Sequence, residues 1–191
     1  MIGEWLRGKS RAFVNRVARF IGRSGISPNA FTISGFLLTI PVACFLARGL
    51  WQAAGLMLIP AGLFDTIDGA VARATGKESP FGAFLDSTLD RFGEGVIYLG
   101  FMLYYLQGNP RLGGLLTYIT IVGSLMVSYT RARAEGLGVE CKGGFFTRFE
   151  RIALLIIGLL LAKPIVTLGA LALFSNLTAI QRMYAVWKKL Q

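Results

Sequence analysis

The chain has no histidine, two cysteines and only four aspartates among its 191 residues. The absence of histidine excludes a histidine general base and a histidine metal ligand. Cys44 lies in an apolar run and Cys141 lies in a polar segment, so their positions favour neither a disulfide nor a thiolate metal site. Carboxylates remain as the candidate groups for acid–base or metal chemistry.

Charged residues are also scarce over long stretches, and 54% of the chain is hydrophobic. Residues 30–47, for example, contain no charge at all. A helix needs about 20 apolar residues to cross the hydrocarbon core of a bilayer. We therefore predict an all-α integral membrane domain over residues 27–191, with six transmembrane helices near 29–48, 51–73, 83–107, 113–134, 149–165 and 165–187.

The net charge of +10 could indicate nucleic-acid binding, but the distribution of basic residues favours a membrane topology. Most of them lie before the first predicted span, between spans two and three, between spans four and five, and after span six. The alternate loops hold only Arg48, Arg111 and Lys163. By the positive-inside rule, we predict a multi-pass protein of the cell membrane with both termini in the cytoplasm and no nucleic-acid partner.

Residues 1–26 differ from the rest of the chain because they combine many basic residues with spaced apolar ones. The apolar residues fall near one face of a helix and include Trp5, Phe13 and Phe20. This pattern predicts an interfacial amphipathic helix that lies on an anionic membrane surface. The segment Ser27-Pro28-Asn29 then separates it from the first span.

All four aspartates lie within 26 residues, where predicted spans two and three meet the cytoplasmic side. Asp65 and Asp68 are three residues apart, and Asp86 and Asp90 are four apart, so each pair shares one face of its helix. Four carboxylates at this depth are costly unless a cation neutralises them. Oxygen ligands suit Mg²⁺ or Mn²⁺. We therefore predict a site for one or two divalent metal ions.

Other interpretations of the aspartates remain open at this point. The carboxylates could form ion pairs with Arg73 and Arg91, although four acids against two bases leave a net negative site. A divalent-cation transporter would also place acids inside a helical bundle, but transporters bind near the bilayer midplane. A scaffold or lipid-binding protein would explain the spans but not the spacing of the acids.

The sequence from Asp65 to Asp90 follows the pattern D-x-x-D-G-x-x-A-R-(x8)-G-x-x-x-D-x-x-x-D. This pattern resembles the signature of the CDP-alcohol phosphotransferase family at all eight fixed positions, including Ala72 and Gly82. The resemblance implies six transmembrane helices, a homodimer, and the transfer of a phosphatidyl-type group from a CDP-linked lipid to an alcohol with release of CMP.

The resemblance also implies a role for each residue of the motif. Asp65, Asp68 and Asp86 would hold two Mg²⁺ or Mn²⁺ ions, and Asp90 would act as general base and contribute to the second metal ion. The residues expected to contact the CDP-lipid are Asn29, Thr32, Gly69, Arg73 and Ser79.

Two basic segments, 128–135 and 143–151, indicate which alcohol accepts the lipid. They resemble the branch of the family that contains phosphatidylinositol-phosphate and archaetidylinositol-phosphate synthases. In that branch the positions of Arg131, Arg151 and Arg182 bind the phosphate of the acceptor, and Ser128 lies near that pocket. Arg182 lies in an apolar run and needs a partner there.

Membrane anchoring is an alternative explanation for Arg131, Arg133 and Arg148. We expect an enzyme that transfers a lipid from CDP-diacylglycerol or CDP-archaeol to inositol 1-phosphate. Glycerol 3-phosphate is the alternative acceptor, because it also brings a phosphate.

Overall fold

The computed structural model describes residues 27–108, 110–141 and 143–191, except for the side chains of Asp65 and Thr66. The predicted amphipathic helix over residues 1–26 lies outside the described residues. Every regular element in the described part of the chain is an α-helix. The helices are α1 (Pro28–Ala47), α2 (Trp51–Thr75), α3 (Pro80–Leu106), α4 (Arg111–Glu135), α5 (Arg148–Leu160) and α6 (Pro164–Leu190).

A short turn joins α2 to α3, and local chemistry explains it. Helix α2 ends at Thr75 and is capped by Gly76, whose φ of 63° is a left-handed conformation that costs glycine little. Helix α3 begins after Ser79, whose hydroxyl accepts a hydrogen bond from the backbone N–H of Gly82 at 3.0 Å. Pro80 occupies the first turn, where the missing N–H has no intrahelical partner to lose.

Six helices were expected, but in the described chain only α1, α2, α4 and α6 are long and apolar enough to cross a membrane. Helix α3 has 27 residues but carries Asp86, Asp90, Arg91 and Glu94. Helix α5 has 13 residues and ends at Leu160, earlier than predicted. At 1.5 Å per residue it is about 20 Å long, less than the hydrocarbon thickness of about 30 Å. The chain turns after it because Pro164 begins α6.

Helix α1 packs against both α2 and α3, α4 packs against α6, and α5 contacts α2 and α6. The contact between α1 and α3 is close, because a Cβ on Gly100 would lie 2.7 Å from the Cα of Ala43. Gly123 and Gly158 likewise face α6. These three glycines serve packing within the chain. Many large apolar side chains remain exposed on the outside, among them Leu37, Leu56, Leu99, Leu115 and Leu177.

Candidate active site

The beginning of α1, the end of α2 and the beginning of α3 enclose a cavity of about 220 Å³, which we call the outer cavity. All five residues predicted to contact the CDP-lipid line it, together with two of the predicted metal ligands, Asp68 and Asp86. The set is Asn29, Thr32, Asp68, Gly69, Arg73, Ser79 and Asp86. The structure therefore brings this part of the prediction together in one place.

Asp68 is the most buried carboxylate of the outer cavity, with 5% of its surface exposed. Its Oδ2 accepts a hydrogen bond from the hydroxyl of Thr32 at 2.7 Å, and its Oδ1 accepts one from the backbone N–H of Gly69 at 2.5 Å. These two donors stabilise the ionised form and set the orientation of the carboxylate. Thr32, predicted as a CDP-lipid contact, thus also orients a predicted metal ligand.

Gly82 has a steric role in the outer cavity. A Cβ at this position would lie 3.1 Å from the hydroxyl of Ser79 and 3.2 Å from the amide oxygen of Asn29. Both distances are shorter than an ordinary van der Waals contact. Glycine therefore allows the start of α1 to approach the N-terminal turn of α3.

A second cavity, of about 50 Å³, lies deeper along α1 and α3 and is closed by α5; we call it the inner cavity. Thr32 lines both cavities, so they are neighbours. The polar and charged residues of the inner cavity are Thr32, Thr39, Asp90, Glu94, Tyr98, Arg148 and Arg151. Four of these side chains carry formal charges within a largely apolar lining.

The charged groups of the inner cavity form a chain of ion pairs. Arg148 Nη2 lies 2.7 Å from Asp90 Oδ1, and Arg148 Nε lies 3.6 Å from Glu94 Oε1. The same Glu94 oxygen lies 2.8 Å from Arg151 Nη2. Arg91 Nη1 is also 3.0 Å from Asp90 Oδ2, so the ion-pair interpretation of the aspartates applies to Asp90. The order along the chain is Asp90, Arg148, Glu94 and Arg151.

Arg151 is 2% exposed, which is exceptional for a permanently charged side chain. Its Nη2 is bound by Glu94. Within the described part of the chain, its Nε and Nη1 have no hydrogen-bond partner. Two buried guanidinium donors that border a cavity are suited to bind an anion such as a phosphate.

The other residues predicted to bind the acceptor phosphate do not line the inner cavity. Arg131 is exposed and pairs with Glu135 one helical turn away at 2.8 Å. Ser128 borders an apolar groove between α3 and α4. Arg182 is buried and donates to the carbonyl oxygens of Gly143 at 2.8 Å and Val127 at 2.5 Å, beside a separate cavity near the end of α6. Of the four residues, only Arg151 borders the inner cavity.

Of the predicted metal ligands, the structure describes the side chains of Asp68, Asp86 and Asp90 but not that of Asp65. Among the described side chains, no three acidic residues or cysteines are grouped closely enough to hold a metal ion. The donor chemistry nevertheless fits Mg²⁺ or Mn²⁺, since Asp68 and Asp86 present carboxylate oxygens to one cavity.

Two charged residues of the inner cavity were not predicted as part of the site. Membrane anchoring was an alternative explanation for Arg148, and Glu94 had no predicted role. Glu94 follows Asp90 by four residues, as Asp90 follows Asp86, so all three share one face of α3. Extending that spacing by one helical turn would have identified Glu94. The partners of Glu94 come from α4 and α5, and nothing local in the sequence identifies them.

A helical protein with carboxylates in one cavity and buried guanidinium groups in the next is suited to bind phosphate-bearing substrates, which is the chemistry of the membrane enzymes that transfer such groups. Residues 25–187 match the profile of the CDP-alcohol phosphatidyltransferase family, and the chain belongs to this family. The family resemblance is thereby confirmed, and the transporter and scaffold hypotheses are set aside. The chain is 37% identical over 191 residues to the archaetidylinositol phosphate synthase of Pyrococcus horikoshii, with 97% of each chain covered.

Two crystal structures of the phosphatidylinositol phosphate synthase of Mycobacterium tuberculosis have the same fold. One contains bound CDP-DAG and superimposes with a TM-score of 0.82 at 32% identity, covering 91% of this chain and 93% of that chain. The other is a complex with manganese and citrate, with a TM-score of 0.83 at 31% identity, covering 91% and 88%. The likeness to these membrane enzymes identifies this chain as a multi-pass membrane protein.

Proposed function

We propose that this enzyme transfers a phosphatidyl-type group from a CDP-linked lipid to inositol 1-phosphate and releases CMP. The observation that carries the proposal is the junction of the two cavities at Thr32. One cavity presents carboxylates and several uncharged polar groups, and the other presents Asp90 and Arg151. Relatives that are phosphatidylinositol and archaetidylinositol phosphate synthases support the same acceptor.

The outer cavity is the proposed binding site of the CDP-lipid. Asn29, Thr32 and Ser79 offer polar contacts, Gly69 lets the ligand approach the backbone, and Arg73 offers a cation to a phosphate. The bound CDP-DAG of the mycobacterial enzyme supports this class of donor. Both CDP-diacylglycerol and CDP-archaeol fit the relatives, because bacterial and archaeal synthases are both among them.

Asp65, Asp68 and Asp86 are the residues proposed to hold the metal, with Asp90 as a further ligand. The manganese complex of the mycobacterial enzyme supports a divalent ion, and the family resemblance supports two ions, Mg²⁺ or Mn²⁺. When bound, such ions neutralise the pyrophosphate and stabilise the charge that develops on the leaving group. Thr32 and the N–H of Gly69 hold the Asp68 carboxylate in a single orientation for this task.

Asp90 is the proposed general base. The acceptor hydroxyl attacks the phosphorus that carries the lipid, its proton passes to the Asp90 carboxylate, and the bond to CMP breaks. Arg151 binds the phosphate of the acceptor through its Nε and Nη1, which the described residues leave without partners. For Ser128, Arg131 and Arg182, a role in acceptor binding stays a prediction from the family resemblance.

Topology and assembly complete the proposal. All six helices contribute to membrane insertion, because α3 and α5 also expose large apolar side chains such as Leu99 and Ile157. The charge distribution supports both termini and the active site on the cytoplasmic side. The boundary between an interfacial helix, residues 1–26, and a membrane domain, residues 27–191, stays a prediction. The homodimer also stays a prediction. The partners are membrane lipids and a phosphorylated polyol, with no nucleic acid.

The test measures CMP release by the purified full-length protein in mixed micelles with Mg²⁺ or Mn²⁺. CDP-diacylglycerol and CDP-archaeol are each combined with inositol 1-phosphate, glycerol 3-phosphate or free inositol. We expect release with inositol 1-phosphate, and none with free inositol, because Arg151 would then lack its anion. If CMP is released with glycerol 3-phosphate and not with inositol 1-phosphate, the proposed acceptor is wrong and glycerol 3-phosphate takes its place. No release with any acceptor would contradict the proposed transfer.

A further inference from the structure

Glu94 is the buried acid that the proposed chemistry does not use. Its side chain is 11% exposed, in a helix whose surroundings are apolar. A carboxylate at this depth is retained only when partners compensate for the loss of hydration. Its partners come from two different helices, so the residue joins separate parts of the fold.

Three side chains bind the two oxygens of Glu94. Oε1 lies 2.8 Å from Arg151 Nη2 and 3.6 Å from Arg148 Nε. Oε2 accepts a hydrogen bond from the hydroxyl of Ser124, in α4, at 2.5 Å. Ser124 restricts the rotation of the carboxylate, so that Oε1 faces both arginines of α5.

The contact with Glu94 determines which part of Arg151 is available. It uses Nη2 and leaves Nε and Nη1 beside the inner cavity. A guanidinium has five donors in a rigid plane, so binding one edge directs the others. At the same time Glu94 holds Arg148, whose Nη2 reaches Asp90 at 2.7 Å.

We propose that Glu94 is a positioning residue for acceptor binding: it holds Arg151 at the lining of the inner cavity with Nε and Nη1 unpaired within the described chain, and it keeps Arg148 beside Asp90. The role deepens, and rests on, the proposed transfer to a phosphorylated polyol. Glu94 repels an acceptor phosphate, so it acts through the arginines and does not bind that phosphate itself. Ser124 supports Glu94 from the opposite side.

The test separates acceptor binding from donor binding in the CMP-release assay. We expect Glu94→Gln to raise the KM for inositol 1-phosphate by about tenfold, the order of a lost hydrogen bond between charged groups. The KM for the CDP-lipid should change by less than about twofold, because the outer cavity is not in contact with Glu94. Glu94→Asp keeps the charge and should recover part of the acceptor affinity.

A milder pair of variants keeps the proposal testable if Glu94→Gln does not fold. Ser124→Ala removes the hydrogen bond to Oε2 of Glu94 together with a hydrogen bond to the Tyr98 hydroxyl, and should raise the acceptor KM by about threefold. Ser175→Ala is the matched control, since Ser175 is equally buried and its hydroxyl has no hydrogen-bond partner in the described chain. It should leave both KM values unchanged.

A binding measurement distinguishes failure of this proposal from failure of the proposed function. Inositol 1-phosphate should raise the Tm of the wild-type protein, and Glu94→Gln or Ser124→Ala should reduce that shift. A Glu94-dependent shift without CMP release from the wild type would contradict the transfer but retain Glu94 as the organiser of an anion pocket. If the wild type is active, two results would contradict the role of Glu94 without affecting the proposed transfer. One is an unchanged acceptor KM in the variants, and the other is an equal loss of affinity for donor and acceptor.

Discussion

The outer and inner cavities differ in how their charged groups are held. In the outer cavity, Asp68 is oriented by a threonine hydroxyl and a backbone N–H, and both donors are neutral. In the inner cavity, Asp90 and Glu94 are bound by the guanidinium groups of Arg148 and Arg151. The neutral donors orient Asp68 among the proposed ligands of a cation, whereas the guanidinium groups of the inner cavity can receive an anion.

This difference favours cations in the outer cavity and an anion in the inner cavity. One enzyme could thereby bind both the pyrophosphate of the donor and the phosphate of the acceptor. The pyrophosphate of the donor is negative and needs metal ions before it can approach Asp68 and Asp86. The acceptor phosphate can be neutralised by Arg151 without a metal. The junction at Thr32 is where the attacking hydroxyl and the donor phosphorus would meet.

Removal of divalent ions should have the largest effect on activity, because Asp68 and Asp86 of the outer cavity are proposed to hold these ions. We expect a chelator to reduce CMP release to background, since the pyrophosphate then meets unneutralised carboxylates. Added Mn²⁺ or Mg²⁺ should restore the activity. The acceptor-induced increase in Tm should persist in the chelator, and its loss there would show that acceptor binding also needs the metal.

Asp90→Asn should have the next largest effect, because Asp90 is the proposed base and lines the inner cavity. We expect kcat to fall by about 10² to 10⁴, the usual contribution of general-base catalysis. Binding of the CDP-lipid, measured with labelled ligand and Mn²⁺, should be largely preserved. Substantial residual turnover would show that another group accepts the proton.

Arg151 and Arg182 were both predicted to bind the acceptor phosphate, and replacing each by lysine distinguishes them. Arg151→Lys should raise the acceptor KM by about tenfold, because one ammonium cannot bind both Glu94 and a phosphate as a planar guanidinium can. Arg182→Lys should mainly lower the Tm, because Arg182 donates to the carbonyls of Gly143 and Val127. A larger acceptor KM for Arg182→Lys than for Arg151→Lys would reverse this assignment.

Gly82→Ala should have the smallest effect and should affect the outer cavity only. The added methyl group meets Ser79 and Asn29 at 3.1 and 3.2 Å, so these neighbours must move by a few tenths of an ångström. We expect the CDP-lipid KM to rise by about threefold and the acceptor KM to stay constant. Gly95→Ala, in the same helix with nothing within 4 Å of the new Cβ, is the control. If both substitutions raise the KM for the CDP-lipid equally, the increase comes from a change in the helix and not from the contacts with Ser79 and Asn29.

The sequence by itself determined the helices and the part of the outer cavity that α2 and α3 form. Apolar runs predicted six helices within a few residues of their observed ends, except for the early end of α5 at Leu160. The residues of the outer cavity between Asp68 and Asp86 lie on two consecutive helices joined by a short turn. Helical spacing and a turn place them together without knowledge of the remaining fold.

The tertiary structure decided the formation of the inner cavity and the partners and burial of the basic residues. Arg131, Arg151 and Arg182 look alike in sequence, yet one forms an exposed ion pair, one is buried beside a cavity and one binds carbonyl oxygens. Hydropathy and charge periodicity report only which side of the membrane an arginine prefers. Its partners depend on which helices pack together, and the contact of α3 with α4 and α5 through Glu94 is a long-range property of the fold.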